Sequence, residues 1–150
     1  MNLVFGGTTM KILIADDEIT SRKVMSNIAA SLGHTVVMAE DGTGAGKMLS
    51  STDPPRIALL DWMMPGRSGV ELCREYGDVD NRPFVYKIIV TMKKDKEDIV
   101  QALDSGAHDF LSKPVDAEEL VSRINVGVRL VEAKDKLQYY ADHMENLARA

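Results

Sequence analysis

Lys11-Ile12-Leu13-Ile14-Ala15-Asp16-Asp17-Glu18 carries four apolar residues in a row and then stops abruptly on three acids. A run this short and this apolar reads as a strand buried on both faces, and its carboxyl end is charged. The same kind of run recurs along the chain as Thr35-Val36-Val37-Met38-Ala39, Ile57-Ala58-Leu59-Leu60, Lys87-Ile88-Ile89-Val90 and Asp109-Phe110-Leu111. Five buried strands are predicted.

Helical patterns lie between them. Met25, Ile28, Ala29 and Leu32 recur at helical spacing, with Gly33 placed to stop that helix. Ser68 with Glu71, and Asp116 with Glu119, pair a capping residue with a Glu three positions on, each ahead of an apolar face. Ile99 and Leu103 line a further helix closed by Gly106, and Gly42 to Ser50 makes a short, glycine-loosened one. Strands alternating strictly with helices give an α/β fold, a doubly wound five-stranded parallel sheet, because parallel neighbours need crossover connections. In such a sheet functional groups gather at the carboxyl ends of the strands.

The chain has 150 residues, the size of one domain, with residues 1–9 as an N-terminal extension and 10–127 as the domain. Hydrophobic residues at 45% and charged residues at 27% exclude disordered and low-complexity classes. A single cysteine, Cys73, excludes an internal disulfide framework and fits the reducing cytoplasm. No apolar run approaches the roughly 18 residues of a membrane span, so no membrane partner is expected. At a net charge of −5, with the basic run Lys93-Lys94-Asp95-Lys96 broken by acid, direct nucleic-acid binding is not expected either. That run reads as a solvated helix start. His34, His108 and His143 show no metal spacing, and Trp62 reads as a side chain packed over the pocket rim.

Asp16, Asp17 and Glu18 follow the first run, Asp61 the third, Thr91 the fourth, and Lys113 lies just past the fifth. Three carboxylates within a few ångströms repel one another unless a cation neutralises them, and hard oxygen ligands without His or Cys suit Mg²⁺. Magnesium bridges protein carboxylates to phosphoryl oxygens, and an Asp carboxylate is itself a competent nucleophile toward phosphorus. The rim therefore looks built to hold a phosphoryl group.

Asp16-Asp17, Asp61-Trp62-Met63-Met64-Pro65-Gly66, Thr91 and Phe110-Leu111-Ser112-Lys113-Pro114 together resemble the receiver domain of two-component response regulators, from about Met10 to Gly127. The resemblance implies a flavodoxin-like (βα)5 fold with strand order 2-1-3-4-5. It implies that Asp61 takes a phosphoryl group from a sensor histidine kinase or phosphotransfer protein, without turnover of other substrates. Asp17, Asp61 and the backbone carbonyl of Met63 would bind Mg²⁺ directly, and Asp16 partly through water. Lys113 would pair with the phosphoryl oxygens, Thr91 would bring its hydroxyl to them, and Phe110 would hold the aromatic switch position. A cis Lys113-Pro114 bond is also implied. Met92 departs from the small residue usual after the switch Thr, and the resemblance makes Met63 and Lys93 influence the lifetime of the acyl phosphate.

Two other readings are weaker. Gly42-Thr43-Gly44-Ala45-Gly46-Lys47 misses both nucleotide-binding glycine templates by one residue and is followed by Met48. A phosphohydrolase of the haloacid dehalogenase type also uses a nucleophilic Asp and Mg²⁺, but needs a second Asp where Met63 stands. Beyond the domain, residues 128–150 form a helical linker in which Leu130, Ala133, Leu137, Tyr140, Met144 and Leu147 make a heptad seam of nearly three repeats. The seam predicts a weak homodimer through an extended C-terminal helix and a connection toward an output domain. The alternative is a helix folded back on its own domain.

Overall fold

The computed structural model describes residues 8–79 and 81–149, so the predicted N-terminal extension lies almost wholly outside the described residues. Five strands and five helices alternate: β1 (Lys11–Ala15), α1 (Ile19–Ser31), β2 (Thr35–Ala39), α2 (Gly42–Leu49), β3 (Ile57–Asp61), α3 (Gly69–Glu75), β4 (Tyr86–Thr91), α4 (Lys96–Asp104), β5 (Asp109–Ser112) and α5 (Ala117–Arg149). The strands pair in parallel in the order β2-β1-β3-β4-β5.

Because side chains alternate across a strand, each central strand feeds two cores. Ile12 and Ile14 of β1, Ile57 and Leu59 of β3, and Ile88 and Val90 of β4 meet Met25 and Ala29 of α1 and Leu120, Ile124 and Val128 of α5. Leu13, Ala58, Leu60 and Ile89 face the other way, onto Ala45, Leu49, Leu72, Cys73 and Ala102 of α2, α3 and α4. Double coverage explains the unbroken apolar runs. It applies least at the edge: β2 is not the buried strand its composition predicts, and Thr35 and Met38 are exposed because this strand has a neighbour on one side only.

The helix punctuation holds. Ser68 accepts a hydrogen bond from the Glu71 amide at 3.1 Å, and Asp116 accepts one from the Glu119 amide at 3.0 Å. Gly33 (φ 89°) and Gly106 (φ 112°) take left-handed conformations just past α1 and α4. In α4 the buried residue is Ala102, whereas Leu103 is exposed, which corrects its expected place on the inner face. The glycines of α2 serve close packing: a Cβ on Gly42 would fall 2.0 Å from the Arg67 carbonyl oxygen.

α5 is one helix of 33 residues that does not fold back. Leu130 packs on the first core and Val131 is fully buried, so the first part of the predicted seam is consumed by the domain. Arg56 then grips Asp135 at 2.7 Å, and Lys134 lies over the Phe84 ring at 5.4 Å. Past these anchors Leu137, Tyr140, Met144 and Leu147 are all exposed. The seam is thus nearer two repeats than three.

Candidate functional site

The carboxyl edge of the sheet collects the chemistry because the central strands end there side by side. Asp61 is the last residue of β3 and Thr91 the last of β4, while Asp16 follows β1 and Lys113 follows β5. One carboxylate oxygen from each of Asp16, Asp17 and Asp61 lies within 4.8 Å of the others. Asp16 and Asp61 are buried, and Asp17 is open to solvent.

Lys113 reaches into this cluster from across the sheet. Its Nζ lies 2.8 Å from Asp16 Oδ2 and 3.3 Å from Asp61 Oδ2. The Lys113-Pro114 peptide bond is cis, as the resemblance implies. Asp16 is held from both sides: its Oδ1 accepts the Glu18 amide at 2.9 Å, and its backbone carbonyl accepts Arg22 at 2.8 Å. Both of its carboxylate oxygens are therefore engaged, which fits an indirect role better than a direct one at a metal.

Burial pushes the Asp61 carboxyl up to about 6 from an ordinary 3.8, against the pull of the Lys113 ammonium and with help from the Asp16 carboxylate. Burial alone would lower the Lys113 pKa, but its hydrogen bond to Asp16 and the charge of Asp61 outweigh that and raise it. Two of the three carboxylates, Asp16 and Asp61, share the Lys113 ammonium. The excess negative charge, the all-oxygen donor set and the open face at Asp17 fit a small divalent cation such as Mg²⁺.

The loop after Asp61 is fixed by α3. The Gly69 amide donates to the Trp62 carbonyl at 2.9 Å, and a Cβ on Gly69 would stand 2.5 Å from the Asp61 carbonyl oxygen. Met63 follows with its side chain exposed, so no acid stands two residues past Asp61 and nothing here supports the phosphohydrolase reading. Thr91 is buried, its Oγ1 accepting the Lys93 amide at 3.3 Å. Phe110, half-buried, packs against the second core. One contact escaped the sequence: Lys93 Nζ sits 4.5 Å from the centroid of the Trp62 ring. No spacing rule pairs residues on two different loops.

The histidines are structural partners: Nδ1 of His34 accepts the Met10 amide at 3.0 Å and Nδ1 of His108 accepts the Lys87 amide at 3.1 Å.

Doubly wound topology with an acidic triad, a lysine and a hydroxyl at the strand ends defines a phosphoacceptor class of protein. The response regulator receiver domain family matches residues 12–125, and the chain belongs to it. The response regulator MprA of Mycobacterium tuberculosis H37Rv is 32% identical over 140 residues, covering 93% of this chain and 59% of that protein. MprA of Mycobacterium ulcerans is 34% identical over 128 residues, covering 85% and 53%. The chain thus spans between half and three-fifths of the length of these relatives. Among solved structures, a CheY-like receiver from Methanospirillum hungatei superposes with a TM-score of 0.72 at 28% identity, covering 85% of this chain and 99% of that one. The BeF3-activated DrrB receiver domain gives 0.71 at 27% identity, covering 81% and 99%. The chain carries a receiver domain of two-component response regulators, and the role of that domain is that of a phosphoacceptor.

Proposed function

We propose that Asp61 is the phosphoacceptor, charged by a sensor histidine kinase or a phosphotransfer protein. The observation that carries this reading is the position of Asp61: buried at the end of β3, within 4.8 Å of two further carboxylates and 3.3 Å from the Lys113 ammonium. An Asp61 oxygen forms the new P–O bond as the P–N bond of a phosphohistidine breaks, and the departing imidazole takes a proton from solvent. Lys113 holds a phosphoryl oxygen by charge, and the Thr91 hydroxyl turns from the Lys93 amide to donate to another. Phe110 follows Thr91 in packing, so that occupancy at the sheet edge is read at β4 and β5.

Asp17, Asp61 and the Met63 carbonyl would hold Mg²⁺, with Asp16 acting through water. When bound, Mg²⁺ supplies charge neutralisation between the carboxylates and the phosphoryl oxygens. The protein is not an enzyme toward other substrates; only its own phosphorylation and dephosphorylation are expected. It works in the cytoplasm, where its kinases present their phosphohistidines. Among the described residues no helix is long and apolar enough to cross a membrane.

The receiver extends past the expected boundary at residue 127 to include Val128 and Val131, and the rest of α5 is a linker toward an output domain. The exposed face of Leu137, Tyr140, Met144 and Leu147 supports pairing with a second copy.

Incubation with acetyl phosphate and Mg²⁺ should add one phosphoryl group per chain, and none to Asp61→Asn. Sustained turnover of a generic phosphate ester would refute the non-enzymatic reading.

A further inference from the structure

Two loops flank Asp61: the one after β3, which begins with Trp62, and the one after β4, which begins with Met92. In the structure the Lys93 side chain joins them. Lys93 is an exposed residue, yet its Nζ is drawn over the Trp62 ring at 4.5 Å, while its own amide donates to Thr91 Oγ1 at 3.3 Å. Trp62 is only 5% exposed and belongs to the second core, so the ring is a fixed platform rather than a mobile partner. Met92, next to Lys93, is 74% exposed and contributes no anchor of its own.

We infer that Lys93 is a positioning residue, a latch that ties the Thr91 loop to Trp62 and holds the Thr91 hydroxyl on the Lys93 amide until a phosphoryl group draws it away. This inference rests on the phosphoacceptor reading of Asp61 and adds a threshold to it. An ammonium over an indole face attracts the ring's electron density, and Trp is the best such partner. The hydroxyl must leave its bond to the Lys93 amide to reach a phosphoryl oxygen, and the loop must shift with it. Whatever stabilises the loop against Trp62 therefore opposes phosphoryl recruitment by the same free energy. The latch acts on Thr91, not on the reacting atoms.

The test is the apparent affinity for beryllofluoride in saturating Mg²⁺, measured by calorimetry on the whole chain. Lys93→Met removes the cation and keeps the length of the chain; being a solvent-exposed change, it leaves the fold intact. Its beryllofluoride affinity should rise about two- to fivefold, the range of an exposed cation–π contact. Lys93→Arg, which keeps a cation for the ring, should bind as wild type. Lys94→Met, with the same loss of charge at an ammonium that lies over no ring among the described residues, should also bind as wild type. Unchanged or weaker binding by Lys93→Met overturns the latch, as does an equal gain in Lys94→Met, which would make the effect one of net charge. If wild type itself fails to bind beryllofluoride, the phosphoacceptor reading fails instead, and the two failures are distinct.

Discussion

Asp61 occupies a position that is poor for stability and good for chemistry. Its carboxyl is raised to about 6 mainly by burial, so the folded state binds a proton that the unfolded chain, at 3.8, has already released. The favourable contribution of the neutral acid is complete below pH 4 and is lost as pH rises through about 6. Without metal, Asp61→Asn should therefore unfold at higher urea at pH 7, by up to about 3 kcal/mol, with the difference vanishing below about pH 4. Mg²⁺ should narrow the gap by stabilising the wild type alone; a destabilised Asp61→Asn at pH 7 would contradict this account. Lys113→Ala acts in the opposite sense. It leaves Asp16 and Asp61 facing each other without a cation, at a cost of roughly 3–5 kcal/mol for a broken buried pair. Added Mg²⁺ should restore most of the lost melting temperature while labelling by acetyl phosphate stays impaired.

At the scale of elements, α3 aims the acceptor. Its first residue has to be Gly69, since a methyl group there would press on the Asp61 carbonyl at 2.5 Å and on Ile89 at 3.0 Å. Gly69→Ala should cost about 1–3 kcal/mol in a urea melt, as overpacking does, and should slow labelling of Asp61 beyond what the lost stability explains. Labelling at the wild-type rate would show that α3 does not position the acceptor. Element identity was legible where burial is symmetrical: Ile12 to Ala15 of β1, Ile57 to Leu60 of β3 and Ile88 to Val90 of β4 are unbroken apolar runs because helices cover both faces. It was less legible at the margins. Thr35 to Ala39 has the composition of a buried strand but lies at the edge, and Leu103 has helical spacing but points outward, with Ala102 inside. The rim residues were readable since each stands at the end of a strand or just past it; the Lys93 contact with Trp62 was not, because it depends on how two loops lean. Nor does the burial of Lys87 near the start of β4 show in sequence: it is 1% exposed, its ammonium donating to the Val85 carbonyl at 3.1 Å and lying 3.6 Å from an Asp78 carboxylate oxygen.

For the whole molecule, the question is how the receiver passes its state along α5. Val128 and Val131 belong to the domain core, so a truncation that separates linker from receiver must fall beyond them. Arg56 and Asp135 form an ion pair between the body and the helix, and a chain ending at Lys136 keeps it. Sedimentation should show the intact chain in a monomer–dimer equilibrium at micromolar concentrations or weaker, because two heptads bury little. The chain ending at Lys136 should be monomeric. Equal mass distributions for the two would remove Leu137, Tyr140, Met144 and Leu147 from any dimer.

The central claim is that phosphoryl transfer ends on Asp61 and depends on the acidic rim around it. Treating the chain with acetyl phosphate and Mg²⁺, trapping the acyl phosphate with borohydride and mapping the peptides tests it most directly. The account predicts homoserine at position 61 in the presence of Mg²⁺ and none when the metal is chelated. Reduction at Asp16, Asp17 or another carboxylate, or trapping at Asp61 that proceeds equally without metal, would contradict it.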